Sequence, residues 1–330
     1  MPRRKFSFSG FRGCELVLVV VDNITKIRVR IMHHIDHRMI IANLPANERA
    51  RLTSRADAPA LVRMAAHGSL IVLFGWAIAA GVPGWQLLLV PQGIVIIFLF
   101  TLLHESSHDT AFASPWLNAA VRTACGFAVF IPAIWFRYFH FAHHRHTHDP
   151  QNDPELASPK PETVWQYVKY LSGVPLWISM TGVLLRNASG RNRDDFVPQK
   201  AKGRVAREAQ LTIAAYAALV MLSAFLGSAL LFWTWLVPAL LGQPFLRAYL
   251  LAEHTLCPHV ASMLENTRTT FTNKLVRFLA WNMPYHAEHH AFPAVPFHKL
   301  PDFHLRVREH LVVTENGYVQ FHKRMLSAFG

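Results

Sequence analysis

The chain has 330 residues, 52% hydrophobic and only 16% charged, with a formal net charge of +13. A soluble domain carries about 25% charged residues, and here the apolar residues gather into long blocks, so the composition points away from a soluble protein and toward a membrane protein. The three cysteines, Cys14, Cys125 and Cys257, form no CxxC, which argues against a disulfide framework and against a cysteine-based zinc or rubredoxin-type site.

Residues 1–60 are polar, basic and without clear period. Their one apolar run, Leu16 to Val21, is much too short to span a bilayer, and no small-residue cleavage site follows it. This segment is expected to be a basic cytoplasmic arm, with His33, His34 and His37 solvated on it. The first long apolar block runs from about Leu61 to Val82 and ends at the turn signal Pro83-Gly84. A second runs from about Trp85 to Leu103. The third and fourth, about Ala209 to Leu226 and Ala229 to Leu251, are separated by Gly227-Ser228. Each is close to the ~20 residues a spanning helix needs. Pro238 and Gly242 are expected to kink the fourth. Trp76, Trp85, Trp233 and Trp235 read as lipid or core contacts before channel walls.

Charge orients the blocks. No Lys or Arg lies between Arg63 and Arg122, or between Arg207 and Arg247. Each gap holds a whole hairpin, so every basic residue falls on one side of the membrane. The positive-inside rule makes that side the cytoplasm, and anionic headgroups explain the +13 more economically than nucleic acid does. Two interrupted stretches, Trp116 to Phe136 and Val164 to Leu185, read as interfacial helices, with one extra membrane pair as the alternative. The basic run Arg186 to Arg207 reads as a lipid-facing segment or as a docking face for an acidic electron carrier. The fold expected is all-α: four transmembrane helices in two hairpins, interfacial helices and a cytoplasmic histidine-rich cap, with the membrane domain over 61–305 and a tail over 306–330.

Histidines mark the same side. His104 and His108 form HxxxH at the end of the second block; His140, His143 and His144 form HxxHH; His254 follows Glu253 at the end of the fourth block; His286, His289 and His290 form a second HxxHH. On a helix, i, i+3 and i+4 share one face, and imidazole is the commonest metal ligand. Nine imidazoles are too many for one ion and suit two, with four or five nitrogens each. Zinc is normally four-coordinate; a redox-active metal fits better, and spacing leaves iron, manganese and copper open. Glu105, Asp109, Asp149, Glu253 and Glu288 are candidates to hold the free ring nitrogens of ligand histidines. Asn282, four residues before His286, is a further candidate or a helix cap. His146 and His148 lie outside the HxxHH pattern.

The order HxxxH, HxxHH, HxxHH with two membrane hairpins resembles the integral-membrane fatty acid desaturase and hydroxylase superfamily, which includes alkane hydroxylases and carotenoid ketolases. The resemblance covers about residues 60 to 305. It rests on His143-His144-Arg-His-Thr147-His-Asp149-Pro150, and on Tyr285-His286-Ala-Glu-His289-His290-Ala-Phe292-Pro293-Ala-Val-Pro296 followed by Leu300-Pro301. Glu253-His254 looks like the extra histidine of alkane hydroxylases; desaturases use an asparagine–histidine motif there, and Leu250 stands where that asparagine would be. The resemblance implies two iron ions held by the nine histidines and fed by O2 and two electrons. It implies oxidation of an unactivated C–H bond, as desaturation or hydroxylation of a lipid acyl chain, or of a carotenoid, terpenoid or alkane. No fused electron donor is visible, so a separate ferredoxin, rubredoxin or cytochrome is expected. A histidine-rich metal transporter is the non-enzyme alternative, and it would need ionisable residues within the spans, which contain almost none.

Overall fold

The computed structural model describes residues 36–329; the run Leu16 to Val21, His33 and His34 lie outside them. Two short helices, α1 (His37–Ala42) and α2 (Ala46–Thr53), lead into α3 (Asp57–Ala79). The chain reverses through Gly81 and Gly84, both left-handed at φ 63° and 76°, a conformation glycine adopts without a Cβ penalty. A 3-10 turn then feeds α4 (Leu89–Ile97) and α5 (Leu99–Ser107), followed by α6 (Pro115–Ala128) and α7 (Ala133–His146). Next come α8 (Val164–Leu171), α9 (Val174–Ala188), α10 (Gln199–Phe225) and α11 (Val237–His254). The C-terminal third adds α12 (Met263–Asn266), β1 (Thr269–Thr270), α13 (Lys274–Leu279), α14 (His286–Ala291), α15 (Leu300–Val307), β2 (Thr314–Glu315) and α16 (Tyr318–Ser327). The two strands pair in parallel.

Three stretches, Ala46–Ala79, Trp85–Ser107 and Gln199–Phe225, are long and apolar enough to cross a membrane. They cover the first three apolar blocks. The fourth block is not among them, because its first turn is π-helical over Phe232–Leu236 and α11 carries Gln243, Arg247 and Glu253. The two interrupted stretches are bent pairs: α6 and α7 meet at 102°, α8 and α9 at 53°. The second bend sits at Gly173, φ 72°.

Gly242 also has a packing task. A Cβ on it would run into the Gly93 carbonyl of α4, and a Cβ on Gly93 would run into the Pro238 carbonyl of α11. Two glycines thus let α4 and α11 touch backbone to backbone, the small-residue device of membrane helix pairs. That crossing carries the end of α11, with His254, toward the end of α5, with His104. His37 also departs from its expected solvated setting. Its ring is buried, and its Nδ1 accepts from the backbone N–H of Met263, the first residue of α12, at 3.4 Å. At the other end, α16 buries Phe321 and Met325 against Leu251 and Ala252 of α11.

Candidate metal centre

Four segments bring the histidines together. His104 lies in the last turn of α5 and His108 caps it. His140, His143 and His144 share one face of α7. His254 ends α11, and α14 carries His286, His289 and His290. The turn into α14 is tight: Trp281 and Asn282 are left-handed at φ 50° and 59°. Asn282 Nδ2 holds it by donating to the Phe297 carbonyl at 2.9 Å, so its side chain acts in the turn and not at the rings.

The nine rings form two adjoining groups. In the first, His104, His108, His140, His144 and His289 each offer a ring nitrogen, all within 4.8 Å of one another. His108 Nε2 is 2.7 Å from His140 Nε2 and 3.1 Å from His289 Nε2. In the second, His143, His254 and His290 meet the same 4.8 Å limit, and His254 Nε2 is 3.1 Å from His143 Nε2 and 3.2 Å from His286 Nε2. The groups touch where His144 stacks on His290, ring centres 3.9 Å apart.

These donors fit metal ions. Nitrogens about 2.1 Å from one ion and cis to each other lie about 3 Å apart, as these pairs do. Both ring nitrogens of His104 and His144, and Nε2 of His290, are buried without a hydrogen-bond partner among the described residues. An unsatisfied buried polar atom costs about 1–3 kcal/mol, so several aimed at one spot call for a ligand. Burial first, then the neighbouring imidazoles, hold His286, His289 and His290 well below the usual histidine range. They are therefore neutral at physiological pH, the form that ligates.

Several outer partners were not singled out from the sequence. Asp153 Oδ1 accepts from His143 Nδ1 at 2.9 Å, and Thr147 Oγ1 is 3.3 Å from His290 Nδ1. Glu155 Oε2 lies 3.3 Å from His143 Nε2. Burial alone would raise the Glu155 carboxyl, but Lys160, His143 and His254 outweigh it and hold it well below the usual range. Thr147 was legible as part of the family-like motif, whereas Asp153 and Glu155 sit in an aperiodic loop whose path no spacing rule gives.

Of the carboxylates expected at the rings, Glu253 faces one, its Oε1 3.4 Å from His286 Nδ1. The others are engaged elsewhere. Glu105 accepts from the Phe297 backbone N–H at 3.0 Å, pinning the loop behind α14 to α5. Asp109 is held by Arg122 and Arg137 at 3.1 and 2.6 Å. Asp149 accepts from Asn152 at 2.7 Å, closing its own loop. Glu288 pairs with His304 Nδ1 and accepts from Thr269 Oγ1 at 2.5 Å; it points away from its neighbours because i+2 and i+3 from His286 fall on different faces of a short helix. His146 stays outside both groups, 3.9 Å from Asp149. His148 is buried with both ring nitrogens unpartnered, its centre 5.5 Å from that of His254.

A cavity of about 980 Å³ opens onto this centre, at the upper end of the range for pockets that enclose a ligand. His104, His140, His143 and His286 form its inner wall, and Phe100, Val129, Phe136, Phe139, Leu246 and Leu250 line its sides. Lys169, Arg186 and Arg247 also border it. None of Trp76, Trp85, Trp233 and Trp235 does: Trp85 packs edge-on to Trp233 and Trp235 stacks on Phe130. Apolar flanks beside converging histidines suit a hydrophobic ligand. A search of curated proteins finds no match. The fatty acid desaturase profile matches residues 83–323, a span that holds all nine histidines and the cavity walls. The chain therefore belongs to the fatty acid desaturase family, the oxidoreductases that modify lipids in membranes.

Proposed function

We propose that this oxidoreductase is an O2-dependent di-iron enzyme that desaturates or hydroxylates an unactivated C–H position of a lipid acyl chain. The observation that carries the reading is the meeting of an apolar cavity with four of nine converging histidines. One iron is assigned to His104, His108, His140, His144 and His289, the other to His143, His254, His286 and His290. Bound there, the irons with O2 and two electrons supply the oxidising power that removes hydrogen from a C–H bond. The chain's own residues do the rest. Asp153 fixes the His143 tautomer. Glu253 backs His286. Phe136 and Phe139 line the cavity with rings that keep water from the reacting carbon. Whether a double bond or an alcohol results depends on how that wall places the carbon, since small displacements change reactivity greatly.

In this reading α11 is the fourth crossing despite its polar side chains, which face the cavity. The histidine cap and the basic residues lie on the cytoplasmic side, and a separate ferredoxin, rubredoxin or cytochrome delivers electrons. The domain division in this reading is a basic cytoplasmic arm over 1–60, a membrane di-iron domain over 61–305 and a cytoplasmic tail over 306–330. Lipid and hydrocarbon profiling of a host with and without the chain tests the activity. Loss of two hydrogens marks desaturation and gain of oxygen marks hydroxylation; a lipid and hydrocarbon profile unchanged by active-site-intact protein would sink the proposal.

A further inference from the structure

We propose that Glu155 is a metal ligand, completing the second histidine group through Oε2; this rests on the two-ion reading above. Its Oε2 lies 3.3 Å from His143 Nε2, the nitrogen that also lies 3.1 Å from His254 Nε2. The other nitrogen of that ring is committed, because Nδ1 faces Asp153 Oδ1 at 2.9 Å. Its Nε2 therefore faces a carboxylate oxygen and a second imidazole nitrogen, a set that a cation can bridge. Ligand atoms cis to each other on one ion lie about 3 Å apart, which is the spacing here.

The loop is built to present this oxygen. Asp153 Oδ1 also accepts from the Glu155 backbone N–H at 3.0 Å, so one carboxylate orients both His143 and Glu155. Lys160 Nζ donates to Glu155 Oε1 at 2.5 Å. That leaves Oε2 toward the histidines and makes the ligation monodentate. The first group then offers five nitrogens, and the second four nitrogens and one oxygen. The two ions would then differ in ligand charge, and both groups face the cavity that Glu155 and Lys160 also line.

The test is metal binding, read without turnover. The full chain in detergent is loaded anaerobically with ferrous iron, counted by metal analysis and examined by Mössbauer spectroscopy. Wild type is expected to hold two irons in two distinct environments. Glu155→Gln, isosteric but uncharged, keeps the first-group iron, which shows the fold is intact. It binds the second at least about tenfold more weakly against a chelator, and the second spectral component changes. Lys160→Met keeps both irons, because the carboxylate is still present. Two irons in Glu155→Gln with wild-type spectra and chelator resistance overturn the assignment while leaving the two-ion reading standing. So does a Lys160→Met protein that loses the second iron as readily as Glu155→Gln, since Glu155 would then be only an ion-pair partner. Wild type that holds no iron overturns both readings.

Discussion

His289 shows what a single residue does in this centre. It lies on α14, yet its Nε2 is 3.1 Å from His108 Nε2 on α5, so it ties the last histidine box to the first. On the two-iron proposal His289→Ala removes a ligand from the first group; turnover is expected to fall to background while the protein remains membrane-inserted, and retained activity would take His289 out of the ligand set. Asp153 acts one step further out. Asp153→Asn keeps the shape but weakens the charge-assisted bond to His143 Nδ1. Losing such a partner typically lowers metal affinity 10–100-fold, so iron titration should show a weakened second site and an unchanged first. At this scale the sequence was uneven. Eight of the nine histidines were legible because helical spacing puts them on common faces, and His254 because it follows Glu253 at the end of the fourth apolar block. Their partners were mostly not, because Asp153 and Glu155 reach the site through loop geometry, while Glu105 was drawn to Phe297, far off in sequence, and Glu288 to His304 on the following helix α15.

The pairing of α4 with α11 is the element on which the site's assembly turns. Apolar blocks and the turns at Pro83-Gly84 and Gly227-Ser228 made three long helices readable. The π-helical turn at Phe232–Leu236 and the backbone contact of Gly93 with Gly242 were not, since both depend on a partner helix that periodicity does not name. Gly242→Val would push its side chain into the Gly93 carbonyl. Overpacking of this kind costs about 1–3 kcal/mol or more, and here it also displaces His254 at the far end of α11. Lower thermal stability in detergent, with loss of iron from the second group before the first, is the expected result. Gly68, which faces open space on α3, is the control, and Gly68→Val should leave both properties near wild type. Equal effects of the two substitutions would mean that the crossing has no special role.

Across the whole molecule, α5, α7, α11 and α14 converge at their histidines, and the charge pattern leads to the expectation that those ends share one side of the membrane. Their junction is a cluster of imidazoles in which burial holds eight of the nine below the usual histidine range and neighbouring carboxylates raise only His143, so its stability depends on what occupies it and on pH. Metal that binds the folded chain and not the unfolded one adds stability by mass action, so removing iron with a chelator should lower the melting temperature. The pH dependence of the metal-free form follows from the depressed values of His286, His289 and His290. In the unfolded chain each ring titrates near 6.5. Above that value both states are neutral, and the rings add no pH dependence. Below it the unfolded chain takes up protons that the buried rings refuse, so stability is lost as pH falls, by up to about 1.4 kcal/mol per pH unit for each ring. Melting of metal-free protein should therefore be flat from pH 8 to 7 and fall steeply from 6.5 to 5. Iron-loaded protein should hold its melting temperature to lower pH, because protons must displace the metal before the rings can charge. A metal-free melting temperature that rises on acidification would mean that these rings are charged in the folded state, and a set of charged rings would not gather around a cation.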